Sequence, residues 1–453
     1  MLSALLIASL LAGSPEDAGV TLEVPPAQAP SAEMNDAELR ARLVQALDML
    51  SRHEAEIAEL KKAKPSAPPA QPVPPPAASS QPWYEKLKIR GYTQVRYNLP
   101  GVVYNDKLIN EQGDRSLGGN GGFLIRRARL IVYGDVHPRV SVYLQPDFAS
   151  VIGDQLGVSI LRDWYADIFV DDRKEFRFRV GQSKVPFGFE NLQSSQNRVP
   201  LDRNDALNSA VKDERDLGVF FYWAPAQIRE RFKYLVDSGL KGSGDYGVVA
   251  LGVYNGQTAN KLELNKSPHV VARATWPFLL GNQILEVGGG GYFGQATINV
   301  GNLPDGTKAI SAVPDNTFTD ARGHVTAVLY PKPFGVFFEY NVGVGPRLGT
   351  DRPNLINSHW LWGGYLTLMF KIDEVFGSHT VIPYVRGTMY DGGKKFVTNS
   401  PYYRVREAEF GVEWQFSRSF ELVLAYMVSE RTNDKLYTPQ YGHWTRVQAQ
   451  VNF

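Results

Sequence analysis

The sequence contains no cysteine and no apolar run long enough for a membrane-spanning helix. Without a thiol among its 453 residues, the chain cannot form a disulfide framework, a thiolate metal site or a cysteine nucleophile. A transmembrane helix needs about 18 or more consecutive apolar residues, and no such run occurs. An excess of either charge is also missing, since 48 Lys and Arg accompany 47 Asp and Glu. We therefore expect no nucleic acid partner, because binding to nucleic acid phosphates calls for a basic field.

The chain does contain a short apolar segment at its N-terminus. Leu2–Ala12 is mostly apolar and leads into the small residues Gly13 and Ser14. This length suits the core of a secretory signal peptide and is too short to span a bilayer. Since no Lys or Arg precedes the segment, a plain apolar N-terminus is the alternative. We predict a signal peptide over residues 1–20.

Residues 33–63 carry the pattern of a helix. No Gly or Pro occurs between positions 36 and 62, and apolar positions recur with the 4-3 spacing of a coiled-coil seam. The seam consists of Leu39, Leu43, Ala46, Leu50, His53, Ile57 and Leu60. The pattern predicts a short coiled coil over 33–63, with a single solvated amphipathic helix as the alternative. Residues 64–82 are rich in Pro and Ala and predict an extended, semi-rigid linker.

From Trp83 onward the sequence alternates between apolar and polar residues in short runs, as strands with one apolar and one polar face do. In the last run Thr445, Val447, Ala449, Val451 and Phe453 share one face, and the residues between them are polar or aromatic. Sixteen strands are predicted in this part of the chain. Their approximate spans are 86–97, 122–135, 139–149, 161–171, 174–183, 213–224, 246–256, 267–277, 284–298, 319–331, 334–344, 358–371, 378–391, 403–416, 419–431 and 442–453.

Long and short connections mostly alternate between these strands, as in a membrane barrel whose hairpins point alternately outward and to the periplasm. The exception is 225–245, which is long where a short turn is expected. Phe232–Asp237 within it could be a further strand, but a closed barrel entered and left on the same side needs an even number. We interpret it as part of a turn. The fold class predicted is an all-β membrane protein: a 16-stranded antiparallel transmembrane β-barrel over residues 83–453, preceded by an N-terminal α-helical coiled coil. Its last strand should pair with the first, near Lys86–Tyr97.

Several cations lie on the polar faces of the first strands and would project into the lumen of such a barrel. They are Lys88, Arg90, Arg96, Arg127, Arg129, Arg177 and Arg179, and Lys184 follows at the end of the fifth strand. Arg126 points outward or sits at a bulge. Arg and Lys suit a path for anions because they keep their charge and offer several donors. For each cation the alternative is a wall-supporting pair with a nearby carboxylate, for which Asp147, Asp163, Asp167, Glu407, Glu409 and Glu413 are available.

Four segments resemble the phosphate-selective porin O and P family of outer-membrane channels. They are Phe123–Leu130, Arg179–Glu190, Glu214–Val219 and the terminal strand, whose final Phe also resembles the sorting signal of outer-membrane barrels. The resemblance covers residues 83–453. It implies a 16-stranded barrel, usually trimeric, that passes anions by diffusion.

The resemblance also implies that segment 184–213 folds inward and narrows the pore. Here the segment mixes four cations with four carboxylates, namely Lys184, Arg198, Arg203 and Lys212 with Glu190, Asp202, Asp205 and Asp213. That mixture favours permeation of small anions in general over a strict preference for phosphate.

Other functional classes fit less well. In the pairs Ser358–His359 and Ser378–His379, neighbouring strand residues face opposite sides, which argues against a catalytic serine. The seven His residues lack metal-ligand spacing, and Gly288–Gly291 lies within a predicted strand with no following helix, unlike a nucleotide loop. A secreted or surface β-sandwich that binds glycans remains the alternative.

We predict a non-enzymatic outer-membrane porin for small anions, with phosphate as one candidate solute and with no cofactor or metal. The barrel would be surrounded by outer-membrane lipid as a homotrimer, with the coiled coil in the periplasm.

Overall fold

The computed structural model describes residues 36–62, 82–104, 121–152, 155–212, 215–433 and 439–453. The predicted signal peptide and nearly all of the predicted linker lie outside these residues. The chain divides into two compact units, residues 1–79 and 80–453. In the first, helix α1 spans Asp36–Lys62, in agreement with the helix predicted from the absence of Gly and Pro. Leu43, Leu50 and Ile57 of this helix are exposed. Among the described residues, no helix is both long and apolar enough to cross a membrane.

The second unit is a sheet of eighteen strands, of which sixteen form an antiparallel wall. The strands are β1 Leu87–Tyr104, β2 Gly122–His137, β3 Val140–Ile152, β4 Gln155–Phe169, β5 Phe176–Lys184, β6 Arg215–Trp223, β7 Val249–Tyr254, β8 His269–Leu280, β9 Gln283–Thr297, β10 Ile310–Ser311, β11 Thr317–Leu329, β12 Phe334–Leu348, β13 Leu355–Phe370, β14 Ile372–Val375, β15 His379–Gly393, β16 Tyr402–Ser417, β17 Phe420–Asn433 and β18 Gln440–Asn452. The short β10 and β14 lie in connections. Each of the sixteen predicted strands corresponds to one wall strand, so the predicted 16-stranded barrel is confirmed.

The wall closes on itself through its first and last strands. β1 and β18 pair antiparallel from Tyr92 opposite Asn452 to Tyr104 opposite Tyr441. The terminal residue adds to the ladder: the Gly91 N–H donates to the Phe453 carbonyl at 2.7 Å, and the Phe453 N–H donates to the Gly91 carbonyl at 3.0 Å. The predicted pairing of the terminal strand with the first is confirmed. Closure leaves the described wall strands without an unpaired edge, as a barrel in lipid requires.

The two faces of the wall are inverted relative to a soluble sheet. Along β8, exposed and buried side chains alternate from His269 to Phe278, and the buried series includes Arg273 while the exposed series includes Val270 and Trp276. In β1 the Arg96 side chain is 0% exposed, whereas its apolar neighbour Val95 is 41% exposed. A soluble sandwich would bury the apolar face instead. An apolar outer face around a polar interior is the arrangement of an outer-membrane barrel.

Two connections fold into the barrel interior. The β5–β6 segment (residues 185–212) contains helix α2, Asp205–Ala210, which is buried throughout. The β6–β7 connection (residues 224–248) contains helix α3, Ala226–Asp237. Phe232–Asp237, interpreted from the sequence as part of a turn, is instead the second half of α3.

Helix α3 explains why its connection is longer than a turn. Its buried residues Ile228, Phe232 and Leu235 pack in one apolar cluster with inward side chains of β9, β11–β13 and β15. The β5–β6 segment joins the same cluster through Phe189. The two connections also contact each other, since the Gln193 and Asn197 amides donate to backbone carbonyls of the β6–β7 connection at 2.7 and 2.6 Å. The lumen is therefore packed on the β9–β15 side, and polar groups gather on the side of β1, β2 and β18.

Candidate functional site

A glycine turn positions the β5–β6 segment inside the barrel. Gly188 has φ +73°, and a Cβ at this position would lie 2.5 Å from Oε1 of Glu339 on β12. Both the conformation and the close approach require glycine. The Phe189 and Glu190 N–H groups that follow donate to Glu339 Oε2 at 2.8 and 3.1 Å. The turn thus fixes the point where the segment leaves the wall.

Ion pairs and hydrogen bonds hold the rest of the segment across the lumen. Glu190 pairs with Arg386 of β15 at 2.8 Å, and its carboxylate also accepts from the Asn204 N–H at 3.0 Å. Arg322 of β11 donates to the Ser209 hydroxyl at 2.7 Å. These contacts lie on the packed side of the lumen, so they present the stretch 198–204 towards β1, β2 and β18.

Five arginines converge where this stretch meets the wall: Arg96 of β1, Arg126 and Arg127 of β2, Arg446 of β18 and Arg198 of the segment. We name this group the arginine cluster. Four of them surround the carboxylate of Asp202, at N–O distances of 2.5 Å from Arg96, 3.0 Å from Arg446, 3.1 Å from Arg126 and 3.6 Å from Arg127. All these side chains are buried or nearly so.

The fifth arginine, Arg198, has nitrogen donors without an acceptor among the described residues. Arg198 is buried, and its Nη2 donates to the Leu201 carbonyl at 3.0 Å, the same carbonyl that accepts from Arg96 at 3.2 Å. Within the described part of the chain, Nε and Nη1 of Arg198 find no acceptor. Five buried guanidiniums share the carboxylates of Asp202 and Glu409, which leaves a local excess of positive charge and of hydrogen-bond donors.

The charge of Asp202 follows from this environment. Burial alone would raise the pKa of its carboxyl, but the charges of Arg96, Arg126, Arg446 and Arg127 outweigh burial and hold the pKa well below its ordinary value. The carboxylate is therefore ionised throughout the neutral and mildly acidic range. A small cavity of about 20 Å³ borders Asp202 and Arg446, which is room for about one water molecule.

The predicted pore residues divide between this cluster and the wall. Arg96 and Arg127 belong to the arginine cluster. Arg129 pairs with Asp147 at 2.8 Å, Arg177 with Asp245 at 2.6 Å, and Arg179 with both oxygens of Asp167 at 2.7 and 2.8 Å. Lys184 donates to the carbonyls of Leu192 and Gln193, each at 2.9 Å. Lys88 is exposed and Arg90 partly exposed near the start of β1.

Wall pairing, the alternative considered for each cation, accounts for all six carboxylates singled out from the sequence. Besides Asp147 and Asp167, they are Asp163 with Arg215, Glu407 with Arg431, Glu409 with Arg446, and Glu413 with Lys241. Arg177 and Arg179 therefore support the wall near the short-turn end, where Arg179 also lies 3.8 Å over the Tyr165 ring. The cations predicted as pore lining therefore have different surroundings: some belong to the arginine cluster, some pair with wall carboxylates, and Lys88 is exposed.

Sequence reasoning did not select Arg126, Arg198 or Asp202 as site residues. Arg126 sits at a register shift between β1 and β2, where Gln94 pairs with Arg127 and Val95 with Ile125. This bulge was one of its two predicted placements, and it turns the side chain inward. Arg446 lies on the polar face of the terminal strand, which strand parity alone predicts as pore lining, but its pairing with Asp202 was not predicted. No periodic signal marks Arg198 or Asp202, because both lie in irregular backbone.

The described residues contain no group of three or more His, Cys, Asp or Glu side chains that could hold a metal ion. What the arrangement offers chemically is a set of fixed guanidinium donors in a buried, polar part of the barrel interior. Such donors bind and stabilise oxyanions and repel cations.

The family model of phosphate-selective porin O and P matches residues 103–453. No curated protein matches the chain. Among solved structures, the chain is similar to the outer-membrane channel DcaP of Acinetobacter baumannii, with 11% identity over 81% of this chain and 97% of that one and a TM-score of 0.47. It is also similar to OmpT of Vibrio cholerae in a trimer form, with 10% identity over 81% and 99% and a TM-score of 0.47. An anion-selective porin from Comamonas acidovorans has the same identity, coverage and TM-score.

Proposed function

We propose that this chain, which belongs to the phosphate-selective porin O and P family, conducts small anions across the outer membrane by way of the arginine cluster. Membership of the family makes it a porin, a channel protein of the bacterial outer membrane. The observation that carries the finer proposal is the arginine cluster itself, in which four arginines surround the carboxylate of Asp202 and Arg198 lies beside them on the Leu201 carbonyl.

Electrostatics gives the cluster its preference for anions. A buried guanidinium keeps its charge at any physiological pH, and the surrounding protein weakens screening of that charge. An anion at the cluster meets attraction from several arginines, and a cation meets repulsion. Because Asp202 and Glu409 lie among the arginines, we propose general permeation of small anions, phosphate included, rather than a strict preference for phosphate.

Planar-bilayer recordings test this proposal directly. With purified protein in a gradient of potassium chloride, the reversal potential should have the sign of an anion-preferring channel. Conductances measured in chloride, sulfate and phosphate would then rank the solutes. A reversal potential that favours potassium would overturn the proposal, and so would the absence of channels from protein with the heat-modifiable gel mobility of a folded barrel.

We also propose that the protein is a trimer in which α1 forms a periplasmic coiled coil. The supporting observation is that Leu43, Leu50 and Ile57 are spaced by seven residues and are exposed in the single chain, so association would bury a continuous seam. Native mass measurement of the full chain should give three copies, and a chain that begins near residue 83 should give a trimer that dissociates at lower temperature. A monomeric full-length protein would contradict the trimer, and equal dissociation temperatures would contradict the coiled coil.

A further inference from the structure

The carboxylate of Asp202 occupies the position that an anionic solute would take in the arginine cluster. Its Oδ2 accepts from Nη1 of Arg96 at 2.5 Å and from Nη1 of Arg446 at 3.0 Å, and its Oδ1 accepts from Nη2 of Arg126 at 3.1 Å. The first two strands, β1 and β2, and the last strand, β18, thus share one bound carboxylate, which belongs to the chain itself. A free oxyanion held by the same donors would have the same surroundings.

We propose that Asp202 is a tethered competitor for the anion site, and that a solute anion passes the cluster by exchanging places with this carboxylate. The inference rests on the proposed function and adds a residue that decides which anions pass. No bond is made or broken in the exchange; a monovalent anion leaves the charge held by the arginines unchanged, and a divalent one adds a negative charge that Nε and Nη1 of Arg198 can bind.

The backbone around Asp202 is held independently of its carboxylate, so the side chain can leave without unfolding the segment. The Asp202 carbonyl accepts from Arg386 at 3.0 Å. The next two residues are fixed as well: Arg203 donates to the Glu190 carbonyl at 3.0 Å, and the Asn204 amide donates to the Glu190 carboxylate at 2.8 Å. Rotation of one side chain is therefore the movement that exchange requires.

Space and donor count both favour exchange over simultaneous binding. The adjoining cavity of about 20 Å³ cannot hold phosphate, since it has room for about one water molecule. Moving the carboxylate aside frees its own volume together with the donors of Arg96, Arg126 and Arg446. Arg198, whose Nε and Nη1 lack acceptors in the described part of the chain, shares the Leu201 carbonyl with Arg96. An oxyanion with three or four oxygens satisfies more of these donors than a carboxylate does, and chloride satisfies fewer.

The mechanism predicts that solutes differ in how well they displace Asp202. Tetrahedral oxyanions should occupy the cluster longest, because they meet guanidinium pairs from several directions. Chloride should pass with brief occupancy. Inorganic phosphate should therefore reduce the chloride current through the wild-type channel in a saturable way.

The test compares wild type with Asp202→Asn, which has nearly the same shape and no charge. Removing a negative charge about 4 Å from the bound anion should lower the phosphate concentration that halves the chloride current by at least about fivefold, from the Coulomb attraction regained at a water-like dielectric constant. Asp205→Asn is the control, because Asp205 lies in the same segment but pairs with Lys394 at 2.8 Å. It should leave the half-blocking concentration unchanged. Asp202→Glu keeps the charge that the arginines hold and changes its reach; where the asparagine variant does not fold, it should shift the half-blocking concentration, and an unchanged value would count against the competitor role.

The outcomes separate this inference from the proposed function. An anion-selective wild type whose half-blocking concentration does not change in Asp202→Asn, or rises, overturns the competitor role and leaves the anion channel standing. A wild-type channel that prefers cations overturns the proposed function itself. Equal shifts in the Asp202 and Asp205 variants would mean that the general charge of the segment matters, and this too would refute a specific role for Asp202.

Discussion

Replacement of Arg127 by Gln should reduce anion selectivity while leaving the barrel folded. Arg127 is the farthest of the four arginines that surround Asp202, at 3.6 Å, and its Nη1 donates to Gln94 Oε1 at 2.7 Å. Three closer arginines remain on Asp202 in the variant. A glutamine amide is polar and shorter, so it retains a donor near Gln94 and removes only the charge.

The expected size follows from Coulomb's law. One unit charge about 5 Å from a permeating ion contributes about 0.8 kcal/mol at a water-like dielectric constant and about 3 kcal/mol at an effective constant of 20. The lower figure already corresponds to about fourfold in the partition of a monovalent ion. Since the anion loses this attraction and the cation escapes an equal repulsion, the anion-to-cation permeability ratio should fall by roughly tenfold or more.

Reversal potentials in a potassium chloride gradient measure this ratio, and salt near 0.1 M keeps screening modest. The matched control is the double variant Arg179→Gln with Asp167→Asn. It removes an ion pair with two short contacts of 2.7 and 2.8 Å and leaves the net charge unchanged. Its permeability ratio should equal that of wild type.

Two results would refute this reasoning. If Arg127→Gln keeps the wild-type ratio while folding normally, ions do not pass the arginine cluster. If the neutral double variant loses selectivity as strongly as Arg127→Gln, the charges that select anions lie along the wall near Arg179. In that case Arg179 attracts anions even though it is paired with Asp167.

Three further predictions concern the segment, the charge state and the closing strand. Gly188→Ala should destabilise the folded barrel by about 1–3 kcal/mol, because φ is positive there and the added Cβ meets Glu339; an unchanged urea midpoint for the heat-modifiable gel shift would contradict this. The ionic contacts of Asp202 should persist from pH 7.5 to about 4.5, because a lowered pKa in the folded state means that their contribution is lost only as the pH falls through that value, below the unfolded value of about 3.9; reversal potentials that shift across this range would count against it. Deletion of Phe453 should impair refolding in detergent more than Phe453→Ala, because only the deletion removes both backbone hydrogen bonds to Gly91; equal refolding yields would contradict the backbone explanation.

The barrel could be predicted because its constraint repeats along the chain. Each wall strand must present apolar side chains to lipid and polar ones to the lumen, so a period of two recurs in every strand. The predicted ends of the strands were less accurate than the predicted number of strands. β4 begins at Gln155 rather than near 161, and β1 continues to Tyr104 rather than ending near Tyr97. Beyond the lipid-facing band the alternation fades, while the backbone ladder continues.

Helix α3 shows a different limit. Its sequence, which includes Phe232 and Leu235, has a short apolar run that suits a strand as well as a helix, and periodicity does not separate the two at this length. What decides is the tertiary environment: inward apolar residues on β9–β15 offer Ile228, Phe232 and Leu235 a surface to bury against. Those wall residues occupy positions where a water-filled lumen would be lined with polar groups.

The sequence predicted that several arginines of the candidate site face the barrel interior, but it did not predict which residues they contact. The inward direction of Arg96, Arg127, Arg177 and Arg179 follows from strand parity alone, but their partners do not. Asp167 lies directly opposite Arg179 on the neighbouring strand, so that pair follows once the register is known. Asp202 reaches Arg96 across 106 positions of sequence from irregular backbone, and no local rule connects them.

The arginine cluster exists only in the closed barrel. Arg96 and Arg446 come from the first and last strands, which meet when the terminal strand pairs with β1, and Asp202 comes from the segment folded between them. Bringing several buried guanidiniums together without a counter-charge would oppose that closure strongly. The carboxylate of Asp202 offsets this repulsion where β1 and β18 pair to close the barrel. Under the exchange proposed above, a solute anion can replace this side chain once the barrel is formed. The same residue can therefore assist closure of the wall and set the selectivity of the path, because both depend on how many negative charges the arginines hold.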